Sequence, residues 1–253
     1  MADLFFGGHM LKQSKAWLYS ALLIPSTLVL SLHAYNAAYT RFISDDYCSA
    51  YLAERLGLLR YIWYWYINWG GRYSAIASDS ILVWTGTGRV GLVIITLGLL
   101  LWGGAIAALI FGLQPKSRQL KPKLRDSICA GIVLLFVLLL LTPNVPQSLY
   151  WWNGFRTHTL PLIGFTVYLA IYEWVSSLEP NKSIALAAIS LGFLGSVFNA
   201  GFSETLALTQ IMFFILWIAW LFLTKKLDIR RPGFIYLAAG LAGALLDGDF
   251  TRF

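Results

Sequence analysis

Charge is scarce in this sequence. Acidic and basic side chains together make up 12% of its 253 residues, about half the share of a soluble globular domain. Apolar residues fill 58% of the chain and mean hydropathy is +0.67, which excludes a soluble fold with a charged surface. Cysteine is just as sparse. Cys48 lies in a polar loop and Cys129 at the start of an apolar run, so neither a disulfide framework nor a cysteine-based metal spacing is present. There is no repeat of roughly 20–50 residues and no low-complexity linker, and the chain reads as one domain. The net charge of +7 sits in short stretches between apolar runs, a pattern of membrane topology and not of a nucleic-acid surface.

Long apolar runs are what the sequence does have. A spanning helix needs about 20 mostly apolar residues, and runs of that kind lie near 16–38, 90–113, 127–142, 159–177, 184–200, 205–224 and 233–246. The expected fold is all-α, a polytopic transmembrane helical bundle of about seven spans over residues 11–253. Residues 1–10 end in Gly7-Gly8-His9-Met10 and lack the basic start of a secretory signal. They resemble a cloning scar ahead of a native start at Met10 and are set aside from fold reasoning.

Lys and Arg sort to one set of loops. Lys12 and Lys15 precede the first run, Lys116, Arg118, Lys121, Lys123 and Arg125 follow the second, Lys182 follows the fourth, and Lys225, Lys226, Arg230 and Arg231 follow the sixth. The bias of basic residues toward the cytoplasm then puts the N-terminus inside. On that basis the Asn181-Lys182-Ser183 triplet is cytoplasmic and is not a glycosylation site. The opposite loops, 39–89, 143–158, 199–204 and the tail from Asp247, hold most of the acidic residues together with clustered Trp, Tyr and Asn.

A loop of fifty residues as apolar as 39–89 should carry structure of its own. Ser44-Asp45-Asp46 reads as a helix start with a serine cap, leading to a stop at Gly57. The stretch from Leu58 to Trp84 holds six aromatics between Tyr61 and Trp69, with Arg60, Arg72 and Asp79, and belongs at headgroup level. Two amphipathic or interfacial helices are therefore expected in this loop.

Four groups on that face carry chemistry. Asp45 and Asp46 are either acidic residues stabilising a helix N-terminus or a general base with its neighbour at the mouth of a cavity, and a pair of carboxylates is also where a divalent cation, Mg or Mn, would sit. Gly70-Gly71-Arg72-Tyr73 is either an interfacial turn with a snorkelling arginine or an anion clamp, because a guanidinium offers phosphate a two-pronged fork. Arg41 and Arg60 add positive field there. Tyr150, Trp151, Trp152, Asn153, Arg156 and His158 are either an aromatic belt or a sugar or phosphate site. Glu204, in Asn199-Ala200-Gly201-Phe202-Ser203-Glu204, is either part of another helix start or a membrane-edge carboxylate facing a wet cavity.

The outer Asp-Asp directly after a first span, the long first loop with surface helices and the further spans on short loops resemble the GT-C class of membrane glycosyltransferases. Ser44-Asp45-Asp46-Tyr47-Cys48-Ser49-Ala50-Tyr51-Leu52-Ala53 with the later Trp69-Gly70-Gly71-Arg72-Tyr73 also looks like a bacterial family of polytopic proteins related to that class. The resemblance covers most of the chain in topology and a few residues in motif. It implies a polyprenyl-phosphate-linked sugar donor, a bacterial inner-membrane location in cell-envelope chemistry, an extracytoplasmic site and inversion at the anomeric carbon. By it Asp45 is the favoured base and Asp46 its neighbour or an acceptor-binding group, and Arg72 is the lipid-phosphate contact. Arg156 and His158 are second-choice contacts, and Glu204 is a second carboxylate. Class members are usually longer, so the expectation is either a compact relative or the N-terminal membrane module of a longer protein, and the polar end after the last apolar run reads as a truncation. The competing expectation, a lipid-linked-intermediate carrier, flippase or assembly subunit, would place polar groups near the bilayer midplane. The spans here carry almost no charge.

Overall fold

The computed structural model describes residues 3–68, 70, 72–85, 90–114, 124–226 and 228–246. Gly71, the basic run Lys116, Arg118, Lys121 and Lys123, and the tail from Asp247 lie outside the described residues, as do the side chains of Lys12 and Lys15. Among the described residues all regular structure is helical. The chain runs through α1 (Asp3–Ala37), α2 (Asp45–Leu56), α3 (Leu58–Asn68), α4 (Tyr73–Thr85), α5 (Val90–Leu113) and α6 (Leu124–Leu141). Two π-helical turns, Pro146–Tyr150 and Phe155–Thr159, flank the short α7 (Trp152–Gly154), and α8 (Leu160–Ser176), α9 (Lys182–Ala200), α10 (Glu204–Leu223) and α11 (Pro232–Leu246) follow.

Every apolar run read from the sequence is a helix, and for the six after the first the ends agree within three residues. Apolar length is a direct signal because in lipid only an internally hydrogen-bonded segment can cross. Five helices, Gly91–Leu113, Leu124–Leu141, Trp152–Ser176, Lys182–Ala200 and Glu204–Leu223, are long and apolar enough to do so. Pro232–Leu246 is apolar but shorter, with 15 residues. The protein is a polytopic membrane helical bundle. Large apolar side chains cover its outside, among them Leu97, Leu140, Leu194 and Phe222, as a lipid-facing surface requires.

Two apolar cores meet on α8. One joins α1, α5, α6 and the start of α8 through Ile95, Leu99, Trp102, Leu135, Phe155 and Ile163. The other joins the rest of α8 to α9, α10 and α11 through Tyr168, Ala188, Phe214, Tyr236 and Leu237. Small residues allow the close approaches, since lipid supplies no hydrophobic drive between helices and packing must hold them. At Gly192 of α9 an added Cβ would overlap the Tyr236 carbonyl of α11, and at Gly131 of α6 it would sit 2.9 Å from the Gly103 carbonyl of α5.

The loop between α1 and α5 holds three helices, not two. The stretch expected as one interfacial unit is divided after Asn68 into α3 and α4. These helices pack with α2 around Ala53, Tyr61 and Ile76. Gly57, at φ 72, ends α2, and α3 begins at the next residue. The expected serine cap is absent. Ser44 adopts φ 50 and its hydroxyl donates to Asp45 Oδ1 at 3.2 Å, while Asp46 Oδ2 reaches back to accept from the Ile43 backbone N–H at 3.0 Å.

Candidate functional site

Four short helical segments each turn one stripe toward a common cavity of about 370 Å³ at the α2–α4 end of the bundle. α2 contributes Asp45, Cys48 and Ser49, and α3 contributes Tyr61 and Trp65. The start of α4 contributes Arg72, Ala75, Ile76 and Asp79, and the α7 turn contributes Asn153, Arg156 and Thr157. The spacings are i, i+3, i+4 and i+7, the residues that share one helix face. The size is that of a small-molecule pocket, apolar in the main with a few convergent polar groups.

What holds α4 in place also brings distant residues into the wall. The Ser74 and Ala75 backbone N–H groups, at the start of α4, donate to the Gly201 carbonyl at 3.0 and 3.4 Å, and the Tyr73 hydroxyl donates to the Val197 carbonyl. This puts Arg72 beside Glu204, the first residue of α10. The guanidinium Nε lies 3.0 Å from both carboxylate oxygens and Nη2 lies 2.8 Å from Oε2. Ser203 caps α10, accepting from the Leu206 N–H at 3.3 Å, so Ser203 is the cap and Glu204 the counter-ion of Arg72.

The second ion pair is deeper. Arg156 Nη1 lies 2.6 Å from Asp79 Oδ2 with side-chain exposures of 11% and 2%, against 42% and 36% for Arg72 and Glu204. Asp79 also accepts from the Tyr61 hydroxyl at 2.7 Å and from Trp152 Nε1 at 3.0 Å. Arg156 donates further to Asn153 Oδ1 at 3.1 Å and to the Ala75 carbonyl at 2.9 Å. Burial pushes the Asp79 carboxyl up, and Arg156, Tyr61 and Trp152 pull it back. Opening such a pair costs about 3–5 kcal/mol because one charge stays buried alone. It is part of the wall.

The two aspartates of the motif part company. Asp45 is exposed to the cavity and, among the described residues, has no ion-pair partner. Asp46 is 2% exposed and spans two segments, since Oδ1 accepts from the Asn153 N–H at 3.1 Å and Oδ2 from Ile43. Burial raises its carboxyl above the ordinary range against the pull of those two bonds. Asp46, expected beside the base or as an acceptor-binding group, is a brace between α2 and α7, with both carboxylate oxygens bonded to backbone N–H groups. A divalent ion shared by the pair would have to compete with two backbone donors for Asp46. Among the described residues no three His, Cys, Asp or Glu side chains converge on a metal position.

The second outer loop is divided too. Asn153 and Arg156 line the cavity, and Trp152 touches it through Asp79. Tyr150 turns away to hydrogen-bond His33 Nδ1 of α1. Trp151 Nε1 donates to the Ile43 carbonyl at 3.3 Å, and His158 is exposed and outside the lining. Tyr150, Trp151 and His158, open in the sequence between an aromatic belt and ligand contacts, lie outside the cavity lining. Asp79, Tyr61 and Trp65 were not singled out. Asp79 had a usable signal, as the one acidic residue between Glu54 and Asp126, an ionisable group in an apolar stretch.

No family model, curated protein or solved structure matches this chain.

Proposed function

We propose that this chain is a membrane glycosyltransferase of the GT-C kind, moving a sugar from a polyprenyl-phosphate donor to an acceptor at the extracytoplasmic face of a bacterial inner membrane. One observation carries the reading: an exposed carboxylate, Asp45, with no ion-pair partner among the described residues, and a half-exposed guanidinium, Arg72, share one cavity with the rings of Tyr61 and Trp65. In this reaction the acceptor hydroxyl gives its proton to Asp45 as its oxygen attacks the anomeric carbon. The bond from that carbon to the phosphate oxygen breaks, and its electron pair leaves with the polyprenyl phosphate. Attack from the face opposite the phosphate inverts the centre. Arg72 stabilises the charge that develops on the leaving phosphate, and the aromatic rings offer the sugar an apolar face. Asn153 and Thr157 supply hydroxyl partners. Membrane lipid surrounds the donor's chain.

A carrier or flippase is the second reading. It is favoured by the buried Ser196–Gln210 hydrogen bond, 3.3 Å, between α9 and α10. It is disfavoured by the ionisable residues of the described spans, such as Asp126, Arg156, Glu173 and Glu204, which lie toward helix ends instead of along a central path.

The test uses the reconstituted protein with a panel of polyprenyl-phosphate monosaccharides, reading release of polyprenyl phosphate. Wild type is expected to release it from at least one donor. Asp45→Asn, with an unchanged melting temperature, is expected to lose at least about 100-fold in rate. Full activity in Asp45→Asn would remove the base assignment, and no release from any donor would remove the transferase reading.

A further inference from the structure

Both guanidiniums of the cavity are already occupied, which bears on how a phosphate could bind there. Arg156 is held by a buried aspartate that has two more donors of its own, together with an amide and a backbone carbonyl. Arg72 is held by Glu204 alone among the described ion pairs, and both members of that pair reach solvent. A carboxylate engaging a guanidinium through two oxygens has the same edge that a phosphate presents.

We propose that Glu204 is a resident stand-in for the ligand's phosphate: it occupies the fork of Arg72 in the empty site, and an incoming phosphate takes its place. This rests on the reading of the cavity as a polyprenyl-phosphate site. It assigns Glu204 as a residue that sets anion affinity, in place of a second catalytic carboxylate.

Three features make the exchange easy. The pair is half-exposed, so water compensates both partners as it opens, and pairs of that kind contribute little to stability. The displaced carboxylate remains in the first turn of α10, where the positive end of the helix stabilises it. And α4 does not depend on the pair for its position, because Ser74, Ala75 and Tyr73 fasten it to Gly201 and Val197. The fork can therefore change partner while the wall stays closed.

The charge of the site follows from the same residues. Asp45, Asp79, Arg72 and Arg156 in the lining sum to zero, and Glu204 makes the set negative. With Glu204 still in the fork, an anion would enter against repulsion. With Glu204 displaced, the guanidinium is free for it.

The experiment measures binding of a polyprenyl phosphate, of the matching polyprenol and of inorganic phosphate to the full chain in nanodiscs of zwitterionic lipid. It compares wild type, Glu204→Gln, Arg72→Ala and the double variant, with ligand-free melting temperature as the folding control. Glu204→Gln is expected to bind the lipid phosphate roughly two- to fivefold more tightly. Arg72→Ala is expected to lose binding, and the double variant to behave as Arg72→Ala. The polyprenol should show no response to Glu204→Gln. Unchanged or weaker lipid-phosphate binding in Glu204→Gln overturns the exchange and leaves the site reading standing. A gain for inorganic phosphate alone upholds the exchange and overturns the lipid source. No phosphate binding in any variant overturns both.

Discussion

Adjacent aspartates at the cavity mouth differ in role because a helix turns by about 100° per residue. Asp45 faces the cavity, and Asp46 is carried into the wall, where it bonds the backbone N–H groups of Ile43 and Asn153. Removing the acceptor in Asp46→Ala leaves both donors without it, which costs about 1–3 kcal/mol and should appear as a lower melting temperature, whereas Asp45→Asn should melt as wild type. The pH dependence has a definite sign. Burial raises the Asp46 carboxyl in the fold, so the folded protein holds that proton more firmly than the unfolded chain. The stability this brings is full below the ordinary aspartate value and is lost as pH rises through the raised folded value. The advantage of wild type over Asp46→Asn in melting temperature should widen as pH falls from 7 toward 4. A gap that narrows instead would mean that the two backbone bonds outweigh burial.

At the scale of elements, the cavity exists because α4 docks on the turn between α9 and α10. Gly201 makes that contact possible: a Cβ there would run into the ring of Tyr73 and lie 2.8 Å from the Ser74 hydroxyl. Gly192 makes an equally close contact with the α11 backbone, on the other side of α9 and away from the cavity. Gly201→Ala and Gly192→Ala should each destabilise by about 1–3 kcal/mol through overpacking. They differ in what they displace. Gly201→Ala moves α4, and with it Arg72 and Asp79, so ligand binding should fall at least about tenfold in protein that remains folded. Gly192→Ala should bind as wild type below its melting temperature. Equal binding in both variants would show that α4 is not held in register by this turn.

At the scale of the molecule, the spans were legible and the site only in part, for one physical reason. Apolar length is a local property and reads directly from residues 90–113 or 205–224. The partners Arg72–Glu204 and Asp79–Arg156 are set by which helix ends meet, and no local pattern specifies that. The division between α3 and α4 falls where the sequence offers an interfacial turn at Gly70 as readily as an anion clamp, and composition alone does not say that the turn separates two helices. The stripes Asp45, Cys48, Ser49 and Asn153, Arg156, Thr157 were visible as spacing, yet which face was the inner one needed the fold. Orientation follows from the placement of Lys and Arg, and Cys48 tests it. Cys48 is exposed beside the cavity, whereas Cys129 lies within the apolar span of α6. With Cys129 replaced by serine, Cys48 alone reports the side of the membrane that the cavity faces. With the N-terminus inside, a membrane-impermeant maleimide should label Cys48 in intact cells. Labelling only after the membrane is opened would turn the cavity toward the cytoplasm and overturn its extracytoplasmic assignment, while leaving the fold and the geometry of the site as they are.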